Sequence, residues 1–201
     1  MNRKYTIIKV VLSIIIIVLA YMIYESIMQP VRFNKATAER EAKVIGQLID
    51  LRTVQQFYKR EHGKYTASFD TLILFLKHGR IPQIKMIPDP NDTTFTKTIS
   101  DTLGYVKVAD SLFSKRTNFN LDDIKFIPYS DGIKFEMAAG EIDRGGIKVG
   151  VYEIKAPYSA YMKGLERQLV INLTKTKEDL ERYPGLKVGS MEEPSTDGNW
   201  E

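Results

Sequence analysis

The stretch that most constrains this chain runs from Val10 to Tyr24, VVLSIIIIVLAYMIY, without a charge. Tyr5 to Ile8 lengthen it if Lys9 runs its amine back to the interface. About twenty residues at about 1.5 Å each give roughly 30 Å, the thickness of a bilayer's hydrocarbon layer. The segment can therefore span. Arg3, Lys4 and Lys9 precede it and Glu25 is the first charge after it, so the positive-inside rule puts the N-terminus in the cytoplasm and the rest outside. Tyr21 and Tyr24 would form an interfacial belt at the outer surface. The competing reading is a cleaved signal peptide, for which Val18-Leu19-Ala20 offers small residues. The apolar run continues through Tyr21, Met22, Ile23 and Tyr24, where a cleavage region turns polar, and this favours the anchor.

Beyond the span, Pro30 lacks a backbone donor and disfavours helix at Gln29, so a kink or stop is expected there. A second helix follows from Lys35 to His62. Asn34 is a candidate N-cap, Lys59, Arg60 and His62 fill the last turn, and Gly63 is a left-handed terminator. At 100° per residue, Val44, Leu48, Leu51 and Tyr58 share one face, with Val54 at its margin. Ala38, Ala42, Ile45 and Ile49 form a second stripe roughly 120° away. Two apolar stripes need two partners. Either both pack within one domain or the second is only weakly buried, or else the first meets this protein's own sheet and the second meets another subunit's helix, which the small Ala38 and Ala42 would let approach closely. The expected organisation is a cytoplasmic stub and anchor over 1–28, a hinge over 29–34 and one domain over 35–201.

Charge narrows the partners. The net charge is +4, and +2 of it belongs to residues 1–30, so the domain is close to neutral. Its bases alternate with acids, as in Lys177, Glu178, Asp179, Glu181 and Arg182, which argues against a nucleic-acid partner. With no cysteine, disulfides, thiolate catalysis and thiolate metal sites are excluded.

Further along, Gly63-Lys64-Tyr65-Thr66 turns the chain, Ser68 can cap, and Phe69 to Lys77 reads as a short helix closed by Gly79. His62 and His78 each precede a glycine at a helix end, where a ring nitrogen can bond a terminal carbonyl. Ile81 to Phe119 reads as a surface excursion with one short strand, Tyr105 to Val108. Asp89, Asn91 and Asp92 there offer oxygen ligands but lack the glycine and glutamate of a calcium loop. Ile124 to Tyr129 and Ile133 to Met137, joined through Ser130-Asp131-Gly132, predict a hairpin. Glu141 to Gly146 is the next turn and Ile147 to Lys155 the next strand, giving an antiparallel meander. Pro157 to Gly164 suggests a helical turn, Leu169 to Leu173 fits helix or strand, and Lys177 to Arg182 should be helical before Tyr183-Pro184-Gly185. The acidic ending, Ser190 to Glu201, reads as a solvated tail, with an ordered edge segment or weak calcium loop as the alternative. The fold class expected is α+β: a transmembrane helix, then a long amphipathic helix packed on a small antiparallel sheet.

The order of membrane helix, amphipathic helix, Glu61-His62-Gly63-Lys64-Tyr65, short helix and antiparallel sheet resembles the type IV pilins and type II secretion pseudopilins, chiefly over Ala42 to Leu76. The ending Asp197-Gly198-Asn199-Trp200-Glu201 is loosely similar to pseudopilin C-termini. The prepilin processing signal is not there: Met1 to Ile8 (MNRKYTII) has no glycine before the apolar segment, and Glu25 sits at the far end of it. What the resemblance implies is the architecture and a bacterial inner-membrane protein with a periplasmic domain. Its partners would be itself or other membrane-anchored helical subunits, met through Ala38, Ala42, Ile45 and Ile49. A second reading is an anchored binding module whose sheet recognises an envelope protein or glycan through Tyr152, Tyr158 and Tyr161. No nucleophile elbow, zinc helix or phosphate-cradling loop occurs, so neither catalysis, a metal nor a cofactor is expected.

Overall fold

The computed structural model describes residues 3–88, 98–113 and 120–201. Its spine is α1 (Arg3–His62), 60 residues long and so roughly 90 Å from end to end. From Ile7 onward it contains a segment long and apolar enough to cross a membrane, with none of that segment buried against the rest of the protein. The helix does not stop at Pro30, so residues 29–34 are no break between two helices. Proline removes only the bond to the Ser26 carbonyl, and the next turns are held in register by tertiary contacts. Phe33, Ala36, Thr37 and Arg40 are already half-buried. The packed domain thus begins inside the stretch expected to be a hinge.

Asn34, expected to cap a helix at Lys35, lies inside the continuous α1 and is no N-cap, whereas the C-terminal signal acts as expected. Gly63 takes φ +75, and its amide donates to the Lys59 carbonyl at 2.7 Å, the left-handed termination that costs glycine least. The chain turns into α2 (Phe69–His78), whose N-terminus is capped by the Ser68 hydroxyl accepting from the Thr71 amide. Leu72, Ile73, Phe75 and Leu76 of α2 are buried.

The described residues between Ile81 and Phe119 are more regular than the sequence implied. A two-stranded antiparallel ribbon, β1 (Arg80–Pro88) with β2 (Thr98–Lys107), carries an irregularity between Gln83 and Ile84. It is followed by α3 (Val108–Phe113). Of the expected strand Tyr105 to Val108, the first three residues are thus the end of a longer one and Val108 opens α3. Pairing in a ribbon needs no buried face to define it, so the apolar alternation that marks a strand is weak here. The oxygen cluster Asp89, Asn91 and Asp92 lies outside the described residues.

The hairpin expected over 124–137 is only partly made. Ile124 and Lys125 belong to a 3-10 turn (Leu121–Lys125), and Phe126 and Lys134 form a single antiparallel bridge. Pro128 has no amide to extend the ladder. Buried Ser130 closes the loop instead, its hydroxyl donating to the Ile127 carbonyl at 2.6 Å and accepting from the Ile133 amide at 3.0 Å.

The main sheet has the order β3-β4-β5, all antiparallel. β3 (Glu136–Arg144) and β4 (Ile147–Pro157) pair from Glu136 opposite Lys155 to Arg144 opposite Ile147. The link is Gly145-Gly146, both with positive φ, as a tight hairpin of this twist requires. The turn is shorter than Glu141 to Gly146, because β3 runs on to Arg144. Between β4 and β5 (Gly185–Gly189) lie the short α4 (Tyr158–Tyr161) and α5 (Arg167–Asp179), which resolves Leu169 to Leu173 as helix.

The core sits between α1, α2 and the sheet. Val44, Leu48, Leu51 and Val54 are fully buried with Tyr152, Ile154 and Ala156 of β4 and Val188 of β5. Gln55 is equally buried because its amide is satisfied: Nε2 donates to the Thr66 carbonyl at 2.6 Å, and Oε1 accepts from the Thr66 amide. The C-terminal segment is ordered, as an edge segment rather than a solvated tail. Gly198 bridges Val188, Asn199 binds the Lys187 amide and the Gly185 carbonyl, and Trp200 packs on the core. Glu201 accepts from Arg52 of α1 at 2.7 Å, and that bond, more than any other contact, holds its carboxyl below the usual carboxylate range.

Candidate functional site

α1 has a covered side and an uncovered side. The covered side follows the predicted first stripe and extends it toward the apolar segment: Phe33, Thr37, Arg40, Val44, Leu48, Leu51, Gln55 and Tyr58 recur at helical spacing and are buried or half-buried. The extension was missed because Thr37 and Arg40 are polar. Their burial is made possible by specific partners. Arg40 Nη1 donates to the carbonyls of Tyr161 and Lys163, both at 2.8 Å, and its guanidinium stands 5.1 Å from the centre of the Tyr129 ring. Thr37 reaches Met162 Sδ. An arginine on the line of the buried stripe, one turn before Val44, was the available signal. Gln47, donating to the Asp123 carbonyl, and Arg52 bind the flanks.

The uncovered side holds the second stripe. Ala38 and Ala42 are exposed, Ile49 is 38 % exposed, and Ile45 is half-buried against the core's edge. Three of the four named residues therefore face away from the domain, and the fourth lies at the boundary. Exposed Ile27 and Val31 continue the same line. At 100° per residue, Ile27, Val31, Ala38, Ala42 and Ile49 fall within an arc of about 60°, over a rise of roughly 33 Å. The spacing of Val31, Ala38, Ala42, Ile45 and Ile49 is that of alternating a and d positions, with Lys35 the one polar interruption. What this surface can do is pack a second helix. It holds no nucleophile or acid-base pair.

The tyrosines proposed as a recognition surface are not on the surface. Tyr152, Tyr158 and Tyr161 are all in the core. Burial pushes the Tyr158 phenol up to about 12 and raises Tyr152 and Tyr161 further. Tyr161 also lies near Glu41, whose carboxyl is pushed up by burial, with Lys177 partly opposing it. The hydroxyls of Tyr152 and Tyr161 have no hydrogen-bond partner among the described residues.

The histidines line one cleft of about 360 Å3 together with Tyr58, Phe75 and Arg80. His62 stacks on Tyr58 with ring centres 4.2 Å apart, and its Nδ1–H donates to the Tyr58 carbonyl at 3.2 Å, the end-of-helix role expected of it. Among the described residues no group of three His, Asp or Glu is placed to hold a metal ion. On the outer face of the sheet, Glu153 is clamped by Lys155 at 2.6 Å and Lys187 at 3.0 Å. Burial alone would raise its carboxyl, but the two lysine hydrogen bonds outweigh it and hold it below the usual range.

No known protein family, curated protein or solved structure matches the chain.

Proposed function

We propose that this chain is a single-pass, membrane-anchored structural subunit or accessory protein of a pilus-like or secretion-type envelope assembly, joined to its neighbours through α1. The observation that carries the reading is the apolar line of Val31, Ala38, Ala42 and Ile49, left uncovered on the side of α1 opposite the domain. That line is collinear with the membrane-length segment, so neighbouring subunits anchored in one bilayer would meet along it in parallel. Small side chains at Ala38 and Ala42 bring helix axes close, and Ile45 and Ile49 supply the apolar contact. In this reading the N-terminus is cytoplasmic and the domain periplasmic, as the basic residues before the span imply. The binding-module alternative loses its basis, because the aromatic rings it needs are buried.

The native chain has no cysteine, so single cysteines report cleanly. Placed at Ala38, Ala42, Ile45 and Ile49 in the full chain in membranes, they should form oxidative crosslinks to a second copy or another anchored helix. A cysteine at the exposed Asp131, on the domain, should not. Crosslinking at the stripe no greater than at Asp131 would refute assembly through α1. A membrane-impermeant maleimide should label Asp131→Cys from outside intact cells and leave Arg3→Cys unlabelled, and the opposite pattern would reverse the topology.

A further inference from the structure

Where α1 leaves the apolar segment, it forms a cavity with the α4–α5 connection. The cavity, about 350 Å3, is lined by Glu25, Gln29, Arg32, Phe33 and Ala36 of α1 and by Gly164, Leu165 and Glu166. Its height is set by the sequence: Glu25 is the first charge after the span, and Gln29 and Arg32 stand only about 6 to 10 Å further along the helix axis. In a bilayer whose polar layers add some 5 to 8 Å on each side of the hydrocarbon, the Glu25 and Gln29 end of the cavity lies at headgroup level, and the Arg32 side chain reaches back to Glu25 there. The connection is held there by Arg40, bonded to the Tyr161 and Lys163 carbonyls.

We propose that this cavity is a binding site for the headgroup of a zwitterionic phospholipid bearing a primary ammonium, a phosphoethanolamine. The proposal rests on the anchoring reading above. The charges are of both signs and arranged for a zwitterion. Arg32, ion-paired with Glu25, presents a guanidinium suited to the phosphate, and the Gln29 amide can donate beside it. Glu166 is exposed and its carboxylate has no hydrogen-bond or salt-bridge partner among the described residues. It begins α5 without a side-chain capping bond, leaving its oxygens to accept from an ammonium. Phe33, Ala36 and Leu165, all half-buried, form the apolar wall of the cavity on the side away from the apolar segment. Two carboxylates against one guanidinium disfavour a purely anionic headgroup. A quaternary ammonium has no N–H for Glu166 and so forfeits the charge-assisted bond. A lipid held between α1 and the domain would fix the domain's tilt and keep the uncovered face of α1 turned toward its neighbours.

The test uses the full chain in nanodiscs of equimolar phosphatidylethanolamine and phosphatidylcholine, with retained lipid read by native mass spectrometry. One phosphatidylethanolamine should be retained over phosphatidylcholine with roughly tenfold preference, about 1.4 kcal/mol. Glu166→Gln and Arg32→Gln should each abolish the preference, while Trp200 fluorescence shows the domain folded. Equal retention of the two lipids, no retained lipid, or a preference unchanged in both variants would overturn the proposal. A nitrobenzoxadiazole probe on Ile16→Cys separates this from the anchoring reading. Quenching of that probe by spin-labelled acyl chains without lipid preference refutes the headgroup site alone, and no quenching refutes anchoring and site together.

Discussion

Leu48 and Ile49 are adjacent in the chain, yet they stand on opposite sides of the packing boundary, and truncating each to alanine separates the two. Leu48 has no exposed surface. Leu48→Ala deletes three buried carbons, about 2.4 kcal/mol at about 0.8 kcal/mol each. The cavity left among Val44, Leu51 and the β4 side chains brings the expected loss to about 3 to 4 kcal/mol. Ile49 is 38 % exposed, so Ile49→Ala removes the same number of carbons with a loss of at most about 1.5 kcal/mol and no cavity that solvent cannot fill. For a domain of this size about 3 kcal/mol lowers the melting temperature by roughly 6 to 12 °C and about 1.5 kcal/mol by roughly 3 to 6 °C. Trp200, the single tryptophan, packs on the core and reports the domain's unfolding in detergent-solubilised full chain. The association assay should rank the pair the other way, with Ile49→Ala weakening crosslinking through Ala42→Cys and Leu48→Ala sparing it at temperatures where it is folded. Equal destabilisation by the two substitutions, or a loss below about 1 kcal/mol for Leu48→Ala, would refute the division of α1 into a packed and an open face.

Three other expectations address the domain. Gly189 has φ +76, and an added Cβ would stand 2.3 Å from the Tyr152 carbonyl oxygen, so Gly189→Ala should destabilise by at least about 1 to 3 kcal/mol in urea unfolding; a neutral result would show that β5 can shift. Tyr161→Phe removes a buried hydroxyl without a partner among the described residues and should leave stability unchanged or raise it by about 1 kcal/mol, whereas a loss would reveal an unseen partner such as a buried water. Glu153 has a carboxyl held below its unfolded value. Its contribution is therefore complete above the unfolded pKa and disappears as pH falls through the folded one. Stability of the native chain should drop on acidification below about pH 4.5, and Glu153→Gln should flatten that drop, a difference measured by unfolding at pH 3 and pH 7.

The class of fold was legible in local pattern. A charge-free run of membrane length, a 3.6-residue apolar repeat, an alternating strand at Ile147 to Lys155 and the caps at Ser68 and Gly63 each follow from short-range chemistry, and each stands where expected. The second stripe's position on the helix was legible from its angle to Val44, but that Ala42 and Ile49 would be left exposed was decided only by where the domain packs. Long-range contacts decided the rest. Continuity through Pro30 depends on Phe33 and Thr37 finding the α4–α5 connection, which lies about 130 residues along the chain. The order of the final residues depends on Asn199 and Glu201 meeting β5 and Arg52. The burial of Tyr152 depends on which face of β4 the helix covers, and that of Tyr161 on α4 packing back onto the core. In each case residues that are polar, or apolar without direction, acquire their place only from a partner distant in sequence. Local pattern built the spine and its two faces, and tertiary packing decided which face closed and how close to the apolar segment the domain begins.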